Sequence, residues 1–180
     1  MPKVLVPYAD GMEEMEAVIV VDVLRRAGIE VVSAGIQDKT VTASRGVKLI
    51  ADSLLSEIDP SEFDMIVLPG GNLGTKNLNS NELIPKILKD YKEENRWIGA
   101  ICAAPNVLLT HSILQNQKFT AFPGSIPANE MYTGSRLELT DKILTSIGPG
   151  SAFEFALKIV ELLSGADKKT EVEKNLHLPY

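Results

Sequence analysis

Three short apolar segments of the chain each end at a sharp turn, and a helix-forming pattern follows each turn. The segments are Lys3 to Tyr8, Asp64 to Leu68 and Trp97 to Ile101. Strands that alternate with helices predict right-handed crossovers and a mostly parallel sheet covered on both faces. The predicted fold class is therefore α/β, a flavodoxin-like doubly wound sheet sandwiched by helices. In such sheets ligands bind beyond the carboxyl ends of the strands, so the three turns are the first places to look for a site.

The rest of the pattern predicts further elements of the same type. Helices are expected at Met12 to Ala27, Glu82 to Glu94, Pro105 to Thr110, Ala152 to Leu163 and Asp167 to Lys174. Strands are expected at Glu30 to Ala34, Gly46 to Ala51 as part of a peripheral hairpin, Lys118 to Ala121 and Lys142 to Thr145. Ser151 and Glu154 predict a capping box at the start of one helix. Because no internal repeat or linker is visible, we predict one domain over residues 1–180.

Composition excludes several classes of function. The chain has 24 Asp and Glu against 18 Lys and Arg, a formal net charge of −6, which disfavours binding to a nucleic-acid backbone. No apolar run approaches the roughly 18 to 20 residues that cross a bilayer, and the N-terminus lacks a signal-peptide pattern. We therefore expect a soluble protein with no membrane partner. A single Cys cannot form an internal disulfide, so a reducing cytoplasm is the expected compartment.

Metal ligands are scarce in this sequence. One Cys and two His are too few for a structural zinc site, which needs about four N or S ligands at short spacings, so no metal is expected. His111 lies nine residues after Cys102, too far along the following helix to contact the sulfur. His177 lies near the end of the chain. Neither histidine is expected to act as a catalytic base.

Cys102 lies between a predicted strand and a predicted helix, in the sequence AICAAP. This is the position of a nucleophile elbow, a tight turn that exposes the side chain and directs it to the first N–H groups of the helix. Those groups favour thiolate over thiol, so we expect the pKa of Cys102 to be depressed. The alternative is inert packing, the usual role of a free Cys, but the turn favours a nucleophile.

Glu16 is the acidic residue whose position is unusual. Its spacing from Met12 and from three apolar residues later in the helix puts its carboxyl group on an apolar face, whereas Glu13 and Glu14 fit the ordinary role of acids in a first helical turn. Burial should raise the pKa of Glu16 and keep it protonated near neutral pH. If Glu16 faces Cys102, its proton lets the sulfur carry the negative charge. The alternative is a buried carboxyl group satisfied by backbone donors.

The loop PGGNLG follows the second strand, and its spacing matches neither of the common phosphate-binding glycine motifs. Gly70 and Gly71 instead allow the backbone to approach a reacting atom. One N–H of this loop and the N–H of Ala103 would then form an oxyanion hole. A simple tight turn explains the loop equally well.

Several separated segments resemble the ThiJ/PfpI superfamily. They are EEMEAV, RRAGI, ASRGVKLIAD, LPGGNLG, AICAAP and TSIGPGSAFEFALKIVELL, and they cover nearly the whole chain in order. The resemblance is greatest to the branch that holds the parkinsonism-associated deglycase and the bacterial YajL. It implies a flavodoxin-like sandwich, a homodimer, a nucleophile at Cys102, a protonated partner at Glu16, and oxyanion donors at Gly71 and Ala103.

The chain departs from some members of this superfamily near Phe122. Where those relatives have a His before a Pro, this chain has Phe122 before Pro123, as YajL-like members do. The change removes a candidate Cys–His dyad and weakens the protease interpretation. Gly70, Phe122 and Pro123 are expected to line the pocket around Cys102.

Two functions remain open at this stage. The first is a cofactor-independent glyoxalase or deglycase, linked to protection from oxidative stress, that acts on methylglyoxal, related reactive carbonyls or their early adducts. The second is a redox-sensing or chaperone protein in which oxidation of Cys102 is the signal and turnover is small. Both use Cys102 and Glu16.

Overall fold

The computed structural model of the protein describes residues 1–178, so the last two residues of the predicted domain lie outside the described part. The strands are β1 (Lys3–Tyr8), β2 (Glu30–Gly35), β3 (Thr40–Thr42), β4 (Lys48–Ile50), β5 (Ser53–Leu54), β6 (Met65–Leu68), β7 (Trp97–Ile101), β8 (Leu137–Thr140) and β9 (Ile143–Ser146). The α-helices are α1 (Glu14–Arg26), α2 (Asn72–Ser80), α3 (Leu83–Glu93), α4 (Pro105–Thr110), α5 (Ala152–Ser164) and α6 (Ala166–Leu176).

Seven strands form one sheet in the order β5-β2-β1-β6-β7-β9-β8. The pairs from β5 to β9 are parallel, and β8 pairs antiparallel with β9 at the edge. The strand order reverses between β1 and β6, because β2 lies on one side of β1 while β6, β7 and β9 follow on the other. The predicted α/β class with a mostly parallel, doubly wound sheet is confirmed. β3 and β4 form a separate antiparallel hairpin.

The core lies on both faces of this sheet because successive strand side chains point to opposite sides. Val4 and Val6 of β1 pack with α1 and α5 in one apolar cluster. Leu5, between them, packs in a second cluster with α3 and α4. Helices thus cover the sheet on both faces, and none of those within residues 1–178 is long and apolar enough to cross a membrane.

Three local predictions differ from the structure. Residues 118–121 form no strand: they make a single bridge between Phe119 and Tyr132, and the edge strand is β8 instead. The segment after Gly71 is helical from Asn72, whereas the sequence predicted a loop to Gly74. Its residues, NLGTKNLNS, are mostly poor helix formers, so tertiary contacts must favour this helix.

The predicted capping box is also wrong. The Ser151 hydroxyl bonds to the Gly148 carbonyl at 2.8 Å and to the Ser146 hydroxyl at 2.7 Å. Glu154 pairs with Arg136. The Ser151 hydroxyl is bonded to Gly148 and Ser146 and the Glu154 carboxylate to Arg136, so neither side chain caps the helix.

Candidate active site

The turns after β1, β6 and β7 meet at the carboxyl edge of the sheet, beside the position where the strand order reverses. A cleft of about 580 Å³ opens there. Its lining consists of loop residues, the hairpin and the start of α2: Asp10, Gly11, Thr42, Ala43, Ser44, Arg45, Gly71, Asn72, Leu73, Cys102, Phe122 and Pro149. This is where an open parallel sheet is expected to bind a ligand.

Cys102 follows β7 directly and has a left-handed backbone conformation, with φ of 64°. A residue other than glycine adopts this conformation at a cost of roughly 1 to 2 kcal/mol. Two hydrogen bonds hold the turn: the Cys102 N–H donates to the Ser146 carbonyl at 2.9 Å, and the Phe122 N–H donates to the Cys102 carbonyl at 2.7 Å. The thiol side chain is 8% exposed, so only one side of it can reach the cleft. These features are those of a nucleophile elbow.

Glu16 lies in the first turn of α1 and is completely buried. Its Oε2 accepts a hydrogen bond from the Gly70 N–H at 2.8 Å. The carboxyl group also lies beside the Cys102 thiol, close enough for each group to shift the pKa of the other. Its Oε1 has no partner among the described residues. The structure therefore brings Glu16 and Cys102 together, as the sequence predicts, with one carboxyl oxygen unpaired.

Gly70 lies between these two side chains. A Cβ atom at this position would lie 2.6 Å from Cys102 Cβ and 2.7 Å from Glu16 Oε2, closer than real Cβ contacts allow. Gly70 is buried and binds Glu16, but it is not among the residues that line the cleft. Its role in the site is therefore to make room for the pair and to hold one carboxyl oxygen.

Two backbone N–H groups act on the sulfur. Those of Gly71 and Ala103 both lower the pKa of the Cys102 thiol, so they stabilise a negative charge there. Gly71 has φ of 88°, and a Cβ there would lie 2.4 Å from the Gly11 carbonyl oxygen, so only glycine allows this approach. The sulfur thus has two backbone donors on one side and the Glu16 carboxyl group on another.

The charges of the pair are coupled. Burial raises the pKa of Glu16 to about 7, against smaller opposing effects of the Gly70 N–H and of Cys102, so the expected upward shift is confirmed. Burial and then the charge of Glu16 raise the pKa of the Cys102 thiol to about 12, although the N–H groups of Gly71 and Ala103 lower it. The expected depression of the thiol pKa is therefore wrong beside an ionised Glu16. The N–H groups lower the thiol pKa as expected, but burial and the Glu16 carboxylate raise it by more.

The two neighbouring acids have separate structural roles. The Glu13 carboxylate caps α1 by accepting a hydrogen bond from the Glu16 N–H at 2.8 Å, as a first-turn acid is expected to do. Glu14 differs from the expectation, because it is buried and bonds to Ser44 and Arg45 of the β3–β4 turn. Its sequence position in a first helical turn gives no signal of this long-range contact.

The other predicted site residues lie at the margins. Phe122 lines the cleft and is 47% exposed. Pro123, the next residue, is exposed and is not among the lining residues. His111 ends α4 and His177 ends α6, and neither lines the cleft. Within residues 1–178, no group of three or more His, Cys, Asp or Glu could hold a metal ion.

Comparisons with known proteins give consistent matches over nearly the whole chain. The family model of the DJ-1/PfpI family matches residues 2–162. Protein DJ-1 homolog B of Arabidopsis thaliana is 44% identical over 177 residues, which cover 96% of this chain but only 40% of that protein. The glutathione-independent glyoxalase DJR-1.2 of Caenorhabditis elegans is 36% identical, over 97% of this chain and 95% of its own. The structure of oxidized Toxoplasma gondii DJ-1 superposes with a TM-score of 0.94 at 40% identity and covers 100% of both chains.

Proposed function

Because the chain belongs to the DJ-1/PfpI family, we propose that it is a cysteine-dependent glyoxalase that converts methylglyoxal and related reactive carbonyls without a cofactor. The observation that carries this proposal is the contact between the Cys102 thiol and the buried Glu16 carboxyl group, beside two backbone N–H donors. The glyoxalase named among the relatives supports the same reaction. The thiol provides the nucleophile and the carboxyl group provides the proton carrier that this reaction needs.

In the first step the sulfur attacks the aldehyde carbon of methylglyoxal. A C–S bond forms, and the thiol proton passes to the Glu16 carboxylate. The N–H groups of Gly71 and Ala103 hold the oxygen while it is negative. Glu16 then returns the proton to this oxygen, which gives a neutral hemithioacetal.

In the second step Glu16 acts as the base. It removes the hydrogen from the former aldehyde carbon and returns it to the neighbouring carbon, while the hydroxyl proton moves between the two oxygens. The aldehyde carbon is oxidised and the ketone carbon is reduced, so no external oxidant is involved. Water then hydrolyses the resulting thioester, which releases a 2-hydroxy acid and restores the thiol. Early carbonyl adducts on proteins or nucleotides would enter by the same attack, which is the deglycase form of the proposal.

Turnover on methylglyoxal, with lactate detected by NMR, tests this function directly. Wild-type protein should give saturable production of lactate, and Cys102→Ala should give none. Glu16→Gln should lose about 10² to 10⁴-fold in rate, because it keeps a hydrogen-bond donor but cannot accept and return a proton. Glu13→Gln is the matched control and should remain close to wild type. Consumption of methylglyoxal without lactate would mean reversible hemithioacetal trapping and would contradict the proposal.

Redox response is a second candidate for the same two residues. The chain has a single Cys, so an oxidised Cys102 has no resolving thiol in the same chain. A protonated Glu16 could donate a hydrogen bond to a sulfinate, and the similar structure of Toxoplasma gondii DJ-1 is that of the oxidized protein. Mild peroxide should then add two oxygens to Cys102, as measured by mass spectrometry. An intermolecular disulfide as the main product would contradict this candidate.

A further inference from the structure

One wall of the cleft belongs to a part of the chain outside the main sheet. Residues 42–45, at the turn between β3 and β4, line the cleft together with Gly71, Leu73 and Cys102. We call residues 42–45 the hairpin wall. The hairpin forms a two-stranded sheet of its own, so pairing with the main sheet does not fix it. Its position relative to Cys102 therefore depends on the core packing of Val41 and Ala43 and on the bonds of its turn.

Backbone and side-chain hydrogen bonds tie the hairpin wall to the loop after β1. The Gly11 N–H donates to the Thr42 carbonyl at 2.8 Å, and the Ser44 N–H donates to the Met12 carbonyl at 2.8 Å. The Thr42 N–H donates to Asp10 Oδ1 at 2.7 Å. These bonds connect the wall to the loop that leads directly into α1, the helix that carries Glu16.

Glu14 adds a buried carboxylate to this contact. Its side chain is 8% exposed. Oε2 accepts a hydrogen bond from the Ser44 hydroxyl and Oε1 accepts one from the Arg45 N–H, both at 2.8 Å. Burial raises the pKa of the carboxyl group, but hydrogen bonds from backbone N–H groups and Ser44 outweigh it and hold the pKa below the usual 4.5. Glu14 is thus charged at neutral pH, and each of its oxygens holds a different point of the turn.

We propose that Glu14 is a positioning residue, which fixes the hairpin wall so that a carbonyl substrate is held over Cys102. This inference rests on the proposed function. The side chain of Glu14 bonds to the wall, whereas Glu16, two residues later, contacts the thiol. In the first turn of α1, the carboxyl group of Glu14 therefore serves substrate binding and that of Glu16 serves proton transfer. Loss of Glu14 weakens binding of substrate and transition state together, which raises KM and leaves kcat unchanged.

Glu14→Gln tests this role. The amide keeps the volume of the side chain, but one of its two terminal atoms becomes a donor and cannot accept a hydrogen bond from the turn. We expect KM for methylglyoxal to rise about tenfold, with kcat within about twofold of wild type. Glu14→Asp keeps the charge but is one methylene shorter, so it should give a smaller rise in KM. If Glu14→Gln fails to fold, Glu14→Asp decides the question by the same split.

Glu57→Gln is the matched control. Glu57 also accepts hydrogen bonds from a serine hydroxyl and a backbone N–H, those of Ser53 and Leu54 at 3.1 and 3.3 Å, in a loop that does not line the cleft. Its KM should equal that of wild type. Three results would overturn the inference while the proposed function stands. They are an unchanged KM in the Glu14 variants, a fall in kcat as large as the fall in kcat/KM, and a rise in KM in Glu57→Gln equal to that in Glu14→Gln. Failure of wild-type protein to turn over methylglyoxal overturns the proposed function and the inference together.

Discussion

At the scale of single residues, the Cys102–Glu16 pair behaves as one titrating unit. Glu16 loses its proton near pH 7, and this negative charge then opposes a second one on the sulfur. Above about pH 7 the pair therefore carries one negative charge and one proton, and it reaches two charges only in strongly alkaline solution. This single shared proton is what the proposed mechanism moves between sulfur, oxygen and carbon.

The first prediction concerns the thiol. Removing the charge of Glu16 in Glu16→Gln should lower the pKa of Cys102 relative to wild type, because the carboxylate is one of the causes that raise it. Ultraviolet titration of thiolate absorbance measures this pKa, with Cys102→Ala as the blank for tyrosine ionisation. An equal or higher midpoint in Glu16→Gln would show that the two groups are not coupled.

The second prediction concerns stability. The pKa of Glu16 is raised from 4.5 to about 7 in the folded protein, so between these values the folded state keeps a proton that the unfolded chain has lost. The free energy of unfolding should therefore decrease as pH rises through this window, by on the order of 3 kcal/mol. Urea unfolding of wild type and Glu16→Gln at pH 5 and pH 7.5 isolates this contribution. A constant difference between the two proteins at both pH values would contradict it.

At the scale of elements, the site depends on the close approach of two turns at Gly70. Gly70→Ala should separate Cys102 from Glu16, because its Cβ would overlap with both. We expect turnover to fall about 10²-fold, as a displacement of about 1 Å commonly causes, and stability to fall by about 1 to 3 kcal/mol from overpacking.

Gly150→Ala is the control for this variant. Gly150 has nothing within 4 Å of an added Cβ and does not have a positive φ, so the substitution should change neither turnover nor melting temperature. Normal turnover in Gly70→Ala would show that the turn can shift without disturbing the pair.

Sequence patterns located the elements that carry the pair but not all of those around it. The bounds of β1, β7 and α4 match the prediction, because each has a strong local signal: an apolar run, or a proline at the first helical position. Helix α2 was missed because poor helix formers are held there by tertiary contacts. Residues 118–121 have the composition of a strand, but Thr120 donates its N–H to the Thr145 hydroxyl at 2.9 Å and so does not continue a ladder.

Some residues of the site can be predicted from the sequence, but their long-range contacts and pKa shifts cannot. Helical spacing identifies Glu16 as a buried acid, and the strand-to-helix turn identifies Cys102. The contact of Glu14 with Ser44 and Arg45 spans about 30 residues of sequence, and no local pattern encodes it. The shift of the thiol pKa depends on burial and a neighbouring charge, which only the three-dimensional arrangement provides.

At the scale of the whole molecule, exposed apolar side chains lie on α1 and on the hairpin. Met15 and Val18 of α1 are 53% and 45% exposed, and Val47 and Ile50 of the hairpin are 48% and 78% exposed. Met15 and Val18 are three residues apart, so they share one face of the helix. The bonds from Glu14 to Ser44 and Arg45 hold the hairpin next to the start of this helix. We expect a second copy of the chain to cover this surface.

The corresponding prediction is a homodimer. Light scattering at micromolar concentration should give about twice the chain mass of 19.6 kDa. Val18→Glu should shift the mass towards that of the monomer, because it places a charge in the apolar surface, whereas Leu139→Glu, on the edge strand β8, should not. A wild-type mass near that of one chain would reject the prediction.

The separate hairpin has a consequence for how such a protein can change over time. Of the residues proposed for chemistry, Cys102 and Gly71 follow buried strands and Glu16 is buried in α1, so most substitutions there disturb the core. The hairpin wall lies outside the main sheet and is held to the loop before α1 and to Glu14 by a few hydrogen bonds. In this segment the side chains of Thr42 and Arg45, residues that make those bonds only through backbone atoms, can therefore change and reshape the entrance while the thiol and its acid stay in place. Selection, or a directed-evolution library limited to this segment, has a route to new substrates that leaves the reaction itself intact.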